Sequence, residues 1–184
     1  IKMRKLMLIT GLFLMLAAPA RAESFPPINN PKITAACGEC HMVYFPQMLP
    51  GKSWERILGN LPNHFGEDAS LDAATRQTVL AYHLANASDI STSRAAGKWR
   101  KGLSTGQAPE RITTAPRFLR KHDEIRSAAW SDPKVKSKAN CGACHSGVAK
   151  HGNFDEDLIE EDWEGGLMER IKSIIRKLFD DDDH

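Results

Sequence analysis

Two short motifs constrain this chain more than any other feature, because together they contain all four of its cysteines. The first is Cys37–His41 (Cys-Gly-Glu-Cys-His), and the second is Cys141–His145 (Cys-Gly-Ala-Cys-His). In each pentad two sulfur atoms and an imidazole are spaced at i, i+3 and i+4, which on a helical turn project from one face. Such cysteines can bond the two vinyl groups of a porphyrin while the histidine binds its iron. Each pentad therefore predicts one covalently attached haem c, and the attaching residues are Cys37, Cys40, Cys141 and Cys144.

Four cysteines also have other uses. In an exported protein they could form two disulfides, and two Cys-x-x-Cys pairs could hold a structural zinc. One pair could instead be a thioredoxin-like redox motif. Here a histidine directly follows both pairs and no cysteine is left over. Two complete pentads behind an export signal favour haem c over these alternatives.

The first 22 residues have the composition of a signal peptide. A basic start precedes an apolar run, Leu6–Ala18, and Ala20-Arg21-Ala22 fits a small-x-small cleavage site. A membrane anchor is the alternative, but the run is short for a helix that spans a bilayer. We therefore expect cleavage after Ala22 and a periplasmic location.

Charge is distributed unevenly along the chain. The full sequence carries a formal net charge of +2, and residues 1–22 contribute four basic and no acidic residues, so the remainder carries −2. Residues 91–138 contain twelve Lys and Arg against four Asp and Glu, and residues 154–184 contain the reverse. This polarity suits electrostatic steering of a protein partner, although two ordinary solvated faces would give the same counts. No nucleic-acid recognition motif accompanies the basic segment.

Hydrophobic periodicity and capping residues predict a mainly α fold. Ser53 is a candidate N-cap for a helix whose apolar face begins at Trp54 and recurs at i+3, i+4 and i+7. Asp72 is a candidate cap for a second helix, Ala73–Ala87. Pro116 can occupy the first turn of a third helix.

We expect an N-terminal haem domain over residues 23–90, a C-terminal haem domain over residues 91–162, and a tail over residues 163–184. Residues 88–110 are rich in Ser, Gly, Lys and Arg and are predicted to be a linker or surface arm. The tail contains a basic amphipathic helix, Leu167–Phe179, followed by an acidic end. This helix could bind a membrane surface or a partner, or pack on its own domain, and the acidic end argues against an anionic bilayer.

The histidines of the pentads, His41 and His145, are predicted to be the proximal iron ligands. The sixth ligand decides the function of each site. When the protein supplies both axial ligands, the iron has no free position and can only transfer electrons. An open axial position instead allows gas binding or peroxide chemistry.

Two histidines outside the pentads are preferred as sixth ligands. For the first haem, His64 is favoured over His83, because His64 lies in a short loop between two helices and His83 lies within a helix. For the second haem, His122 is favoured over His151, which is too near His145 in sequence to reach the opposite haem face easily. The remaining candidates are Met48, Met168 and His184.

Further sequence blocks accompany the pentads in a fixed order. His64–Glu67 precedes a helix that ends with Leu84–Ala87, Arg120–Ile125 precedes the second pentad, and Asn153–Asp157 follows it. In order and spacing these blocks resemble the dihaem cytochrome c family of proteobacteria, over about residues 30–158.

The resemblance implies an N-terminal class I cytochrome c-like domain and a C-terminal haem domain with little regular structure. It also implies two low-spin, low-potential haems with two histidine ligands each, in which His64 would complete the first and His122 the second. Members of the family are thought to pass electrons to a small oxygen-binding monohaem cytochrome (sphaeroides haem protein), often beside a membrane cytochrome b. The tail after Trp163 is not part of the resemblance.

These patterns predict a periplasmic electron carrier that is not an enzyme. The alternative is a dihaem peroxidase or a gas sensor, either of which needs one five-coordinate iron. A second alternative is a membrane-docked subunit that is held by the tail helix.

Overall fold

The computed structural model describes residues 24–145 together with Gly152, Phe154 and Ile174. These residues form helices joined by turns, with no β-strand among them, which confirms the mainly α fold. The predicted signal peptide lies outside the described residues, as does the tail apart from Ile174. In the described part, no helix is long and apolar enough to cross a membrane.

The α-helices are α1 Pro31–Gly38, α2 Gly51–Gly59, α3 Ala73–Ala85, α4 Arg94–Arg100, α5 Pro116–Lys121 and α6 Ser127–Trp130. Short 3-10 helices cover Pro46–Met48, Leu61–Asn63, Ile112–Thr114 and Cys141–Ala143.

Helix α3 begins where its sequence predicts. The carboxylate of Asp72 accepts hydrogen bonds from the backbone N–H groups of Ala74 and Thr75, so the predicted N-cap is confirmed. The helix ends at Ala85, two residues before the predicted end, because Asn86 leaves the helical conformation. The predicted start of α5 at Pro116 is also confirmed.

Helix α2 begins earlier than predicted, and Ser53 is not its cap. Ser53 lies inside the helix and is buried, while Pro50 occupies the N-cap position. The N–H of Gly51 donates to the carboxylate of Asp89 at 2.9 Å, so the first turn is capped from elsewhere in the chain. The predicted apolar face is confirmed at its first residue, because Trp54 is buried.

The predicted linker over residues 88–110 is wrong in its middle, where α4 forms. This helix places Ala96 and Trp99 in the protein interior. The side chain of Arg100 donates to the carbonyl oxygen of Ser88 at 2.6 Å and ties the helix to the preceding turn. Two or three apolar side chains are enough to dock a short helix, even in a segment whose composition is otherwise that of a surface loop.

One hydrophobic core contains residues from both predicted haem domains. Phe25 stacks on Phe45 with ring centroids 4.7 Å apart, and Phe154 meets Phe25 edge-on at 5.5 Å. The same cluster reaches Phe118 of α5, and each such ring stabilises the fold by about 1.5–3 kcal/mol when fully buried. The core is thus continuous across the proposed boundary at residues 90 and 91, which itself stays a prediction. A second, smaller cluster lies between α1, α2 and α3 and contains Ile33, Leu58, Leu61 and Val79.

Candidate functional site

The first pentad lies at the end of α1. Cys37 is in the last helical turn, where burial raises the pKa of its thiol, and Cys40 is exposed in the turn that follows. The Nδ1 atom of His41 lies 2.6 Å from the carbonyl oxygen of Met42. Because a carbonyl only accepts, Nδ1 carries the proton and Nε2 carries the lone pair that can bind a metal.

His64 faces His41 across a gap. Their ring centroids are 6.1 Å apart and their planes differ by 26°. The backbone N–H of His64 donates to Glu67 at 2.8 Å, and the N–H of Glu67 donates back at 3.2 Å, so a tight turn holds the imidazole in place. Within this turn Phe65 has a φ of 58°, a conformation that bulky side chains rarely adopt. Such local strain often accompanies functional sites.

Arg111 supports the loop that carries His64. Its guanidinium carbon lies 4.1 Å from the centre of the Phe65 ring, a cation–π contact. Burial lowers the pKa of His64, and the nearby His41 and Arg111 lower it further. The shift favours neutral imidazole, which is the form that binds metals. Sequence reasoning missed Arg111, because no local pattern links it to a loop 46 residues earlier.

His83, the rival ligand, points into the core of the protein. It is buried, its Nδ1 lies 2.8 Å from the carbonyl oxygen of Val79, and its ring packs against Trp54 at 4.5 Å. Burial lowers the pKa of His83, and hydrogen bonds to the backbone of Val79 and Tyr44 partly oppose this effect. These contacts engage the ring in packing and hydrogen bonding within the first half of the chain.

The second pentad forms a single 3-10 turn, Cys141–Ala143, that is followed by Cys144 and His145. Burial raises the pKa of the Cys141 thiol to about 11 and also raises that of Cys144. No disulfide joins any of the four cysteines, so their sulfur atoms remain for haem attachment. Within the described ranges, no group of three or more His, Cys, Asp or Glu side chains could hold a metal ion by itself.

His122 faces His145 at the second pentad. Their ring centroids are 6.2 Å apart and their planes differ by 87°. His122 is the C-cap of α5, and its Nδ1 lies 2.8 Å from the carbonyl oxygen of Phe118, which again leaves Nε2 as the metal-binding atom. The ring of Phe118 stacks on His122 at 4.1 Å, and Trp130 lies 5.8 Å away.

Both imidazole pairs have the spacing that an iron between them requires. Two imidazoles that each bind one metal through a nitrogen about 2 Å away place their ring centroids about 6 Å apart. The described residues therefore fit a haem at each pentad, with the cysteines alongside. Met48 is buried in the larger hydrophobic core. The other candidates, His151, Met168 and His184, lie outside the described residues.

The sequence model of the family described as dihaem cytochrome c matches residues 33–154, a span that includes both pentads. The chain belongs to the dihaem cytochrome c family. This confirms the resemblance that the sequence blocks indicated. The protein accordingly carries two c-type haems with iron. Membership is consistent with electron transfer, and the assignment of individual residues to the haems stays a prediction.

Solved structures of the dihaem cytochrome c type are similar to this chain. A diheme cytochrome c from Rhodobacter sphaeroides is 41% identical, with a TM-score of 0.61, over 67% of this chain and 95% of that one. The diheme cytochrome c of Shewanella baltica OS155 is 35% identical, with a TM-score of 0.58, over 76% of this chain and 98% of that one. A search of curated proteins gave no match.

Tyr44 contacts the first pentad and the backbone just before the second, and sequence reasoning missed this role. Its ring stacks on His41 at 4.8 Å, and its hydroxyl donates to the carbonyl oxygen of Ala139 at 2.7 Å. Burial raises the pKa of Tyr44, so the hydroxyl stays protonated and donates. The one signal in the sequence is the position of this tyrosine three residues after His41.

Proposed function

We propose that the protein is a periplasmic electron carrier in which two histidines occupy the two axial positions of each haem iron. The observation that supports this most is the pair of facing imidazoles at each pentad, with ring centroids 6.1 Å and 6.2 Å apart. When bound, each haem supplies an iron that cycles between the ferric and ferrous states. With both axial positions filled by protein, the site exchanges electrons and offers no place for a substrate.

The residues of the chain divide the work of each site. The cysteines would form the thioether bonds that hold the porphyrin edge, and the histidines would supply nitrogen ligands to the iron. Backbone carbonyl oxygens at Met42 and Phe118 accept the Nδ1 protons of His41 and His122, which orients each Nε2 and raises its basicity. Imidazole ligands favour a lower potential than methionine would. The assigned sets are Cys37, Cys40, His41 and His64 for the first haem, and Cys141, Cys144, His145 and His122 for the second.

The proposed location and partners come from other features of the chain. The segment of residues 1–22 supports export, with cleavage after Ala22. The family resemblance supports a small oxygen-binding monohaem cytochrome and a membrane cytochrome b as redox partners. Residues 91–138, with their excess of basic residues, would present positive charge to an acidic face of such a protein.

Ligand variants test the proposal one haem at a time. In wild-type ferric protein we expect two separate low-spin EPR signals. The planes of the paired rings differ by 26° at the first pentad and by 87° at the second, so the two irons would have different ligand fields and different g values. H64G should turn only the first haem high-spin, H122G only the second, and added imidazole should restore the lost signal. H83Q is the control and should leave both signals unchanged. If H64G or H122G kept both native signals, that histidine would not be a ligand.

A further inference from the structure

Tyr44 joins the two haem sites by two contacts from one side chain. On one side its ring lies nearly parallel to His41, with centroids 4.8 Å apart and planes 27° apart. On the other side its hydroxyl donates a 2.7 Å hydrogen bond to Ala139, a residue 95 positions further along the chain. Ala139 directly precedes Asn140 and the second pentad, so the contact reaches the backbone that carries the second haem.

The acceptor of this hydrogen bond is itself fixed to the second pentad. The carbonyl oxygen of Ala139 also accepts the backbone N–H of Cys141 at 3.0 Å. The side chain of Tyr44 is thus held at its ring by His41 and at its hydroxyl by Ala139, and Tyr44 and Cys141 pack against the same core cluster. Residues held in this way keep two sites in a constant geometry.

We propose that Tyr44 is a positioning residue for electron exchange between the two haems. It fixes the second attachment turn against the first proximal ligand, and it fills the space between them with an aromatic ring and one hydrogen bond. In the exchange one electron passes from a ferrous to a ferric iron, so that one is oxidised and the other is reduced. No proton moves and Tyr44 itself is not oxidised. The proposal rests on the proposed function, since it takes His41 as an axial ligand.

Three variants separate this role from simple packing. Y44F removes only the hydroxyl, and Y44L removes the ring as well. Y82F makes the same change as Y44F at the other tyrosine of the chain, which is half-buried and packs edge-on against His83 at 5.8 Å. The readouts are the dipolar interaction between the two ferric centres by pulsed EPR, and the rate of electron exchange between the haems after pulsed one-electron reduction.

We expect Y44L to slow the exchange about tenfold, because small misplacements of reacting centres have large effects on rate. Y44F should slow it by a smaller factor, both variants should change the dipolar interaction, and Y82F should change neither. Unchanged exchange and dipolar interaction in a folded Y44L with two low-spin haems would overturn the proposal. If Y44L does not fold, Y44F decides, since it keeps the ring, and wild-type values of both readouts would then overturn the proposal. Failure of the proposed function would instead show in the wild-type protein, as a high-spin haem.

Discussion

The first haem site is surrounded by α1, α2 and α3 and a small core of its own, whereas the second lies on one 3-10 turn and two short helices. The loop of His64 is held by reciprocal backbone hydrogen bonds. His122 is held by hydrogen bonds to the carbonyl oxygen of Phe118 at the end of α5, and in addition by packing against the rings of Phe118 and Trp130. The difference indicates that a regular helical framework is not required for such a site, provided that buried rings support the ligand. It also predicts that side-chain losses affect the second site more than the first.

The largest expected effect comes from Phe118, which stacks on His122 and is 6% exposed. F118A should lower the free energy of unfolding by about 3–5 kcal/mol, because a buried ring is lost and a cavity remains. It should also turn the second haem partly high-spin. The matched control is F65A, since Phe65 packs against His64, the sixth ligand proposed for the first haem, but is 46% exposed. Denaturant unfolding measures the free energy of unfolding of the two variants, and absorption spectra measure the spin state of their haems. Equal losses of stability in F118A and F65A would remove the proposed difference between the sites.

The next largest effect is expected at the contact between Phe25 and Gly152, which follows the second pentad. Gly152 has a φ of 62°, and a Cβ there would lie 2.6 Å from the carbonyl oxygen of Phe25. G152A should therefore cost about 2–4 kcal/mol through strain and displacement of that backbone. G97A in α4, where a Cβ meets nothing within 4 Å, should instead stabilise by about 0.5–1 kcal/mol. Thermal unfolding compares them, and a neutral G152A would show that this contact does not support the second site.

A smaller effect, dependent on pH, is expected from His83 in the first half of the chain. Burial lowers its pKa in the folded state below the ordinary value of 6.5, so the unfolded state takes up the proton first as the pH falls. Stability is therefore complete above about pH 6.5 and declines as the pH falls through the folded pKa. H83Q, which keeps a polar side chain without this charge, should flatten that decline. Unfolding curves between pH 7.5 and 5.5 (roughly one unit either side of the unperturbed value) test it, and an unaltered pH dependence in H83Q would contradict it.

The smallest effect should come from Arg111. Loss of the cation–π contact with Phe65 in R111A should lower the free energy of unfolding by about 0.5–1 kcal/mol, as expected for an exposed pair. R111K keeps a cation and should recover part of the loss. Both should leave the spectrum of the second haem unchanged. A loss in R111A as large as that in F118A would mean that the first site depends on side chains as strongly as the second.

The parts of the fold that sequence predicted correctly depend on neighbouring residues. The pentads, the Asp72 cap of α3 and the Pro116 start of α5 are all local signals. The errors depend on distant residues. Asp89 caps α2 from 38 positions away, whereas a capping rule that considers only neighbouring residues selects Ser53.

The residues of the candidate site divide in the same way, into those that local sequence predicts and those that it does not. The proximal histidines and the cysteines follow from the pentads, and the loop position of His64 pointed to the pair that the structure brings together. The contacts of Tyr44 with Ala139 and of Arg111 with Phe65 join residues 95 and 46 positions apart. No periodicity or capping rule reports pairs so distant, and only the folded chain brings them into contact.

The central claim is that protein ligands occupy both axial positions of each iron, and carbon monoxide binding tests this claim most directly. Ferrous iron binds this gas only at an open or readily vacated axial position, so the reduced native protein is titrated with it and followed by absorption. We predict no rapid binding at either haem and low-spin bands that stay unchanged. Stoichiometric binding at one haem of the native protein would contradict the account and favour a peroxidase-like or gas-sensing function.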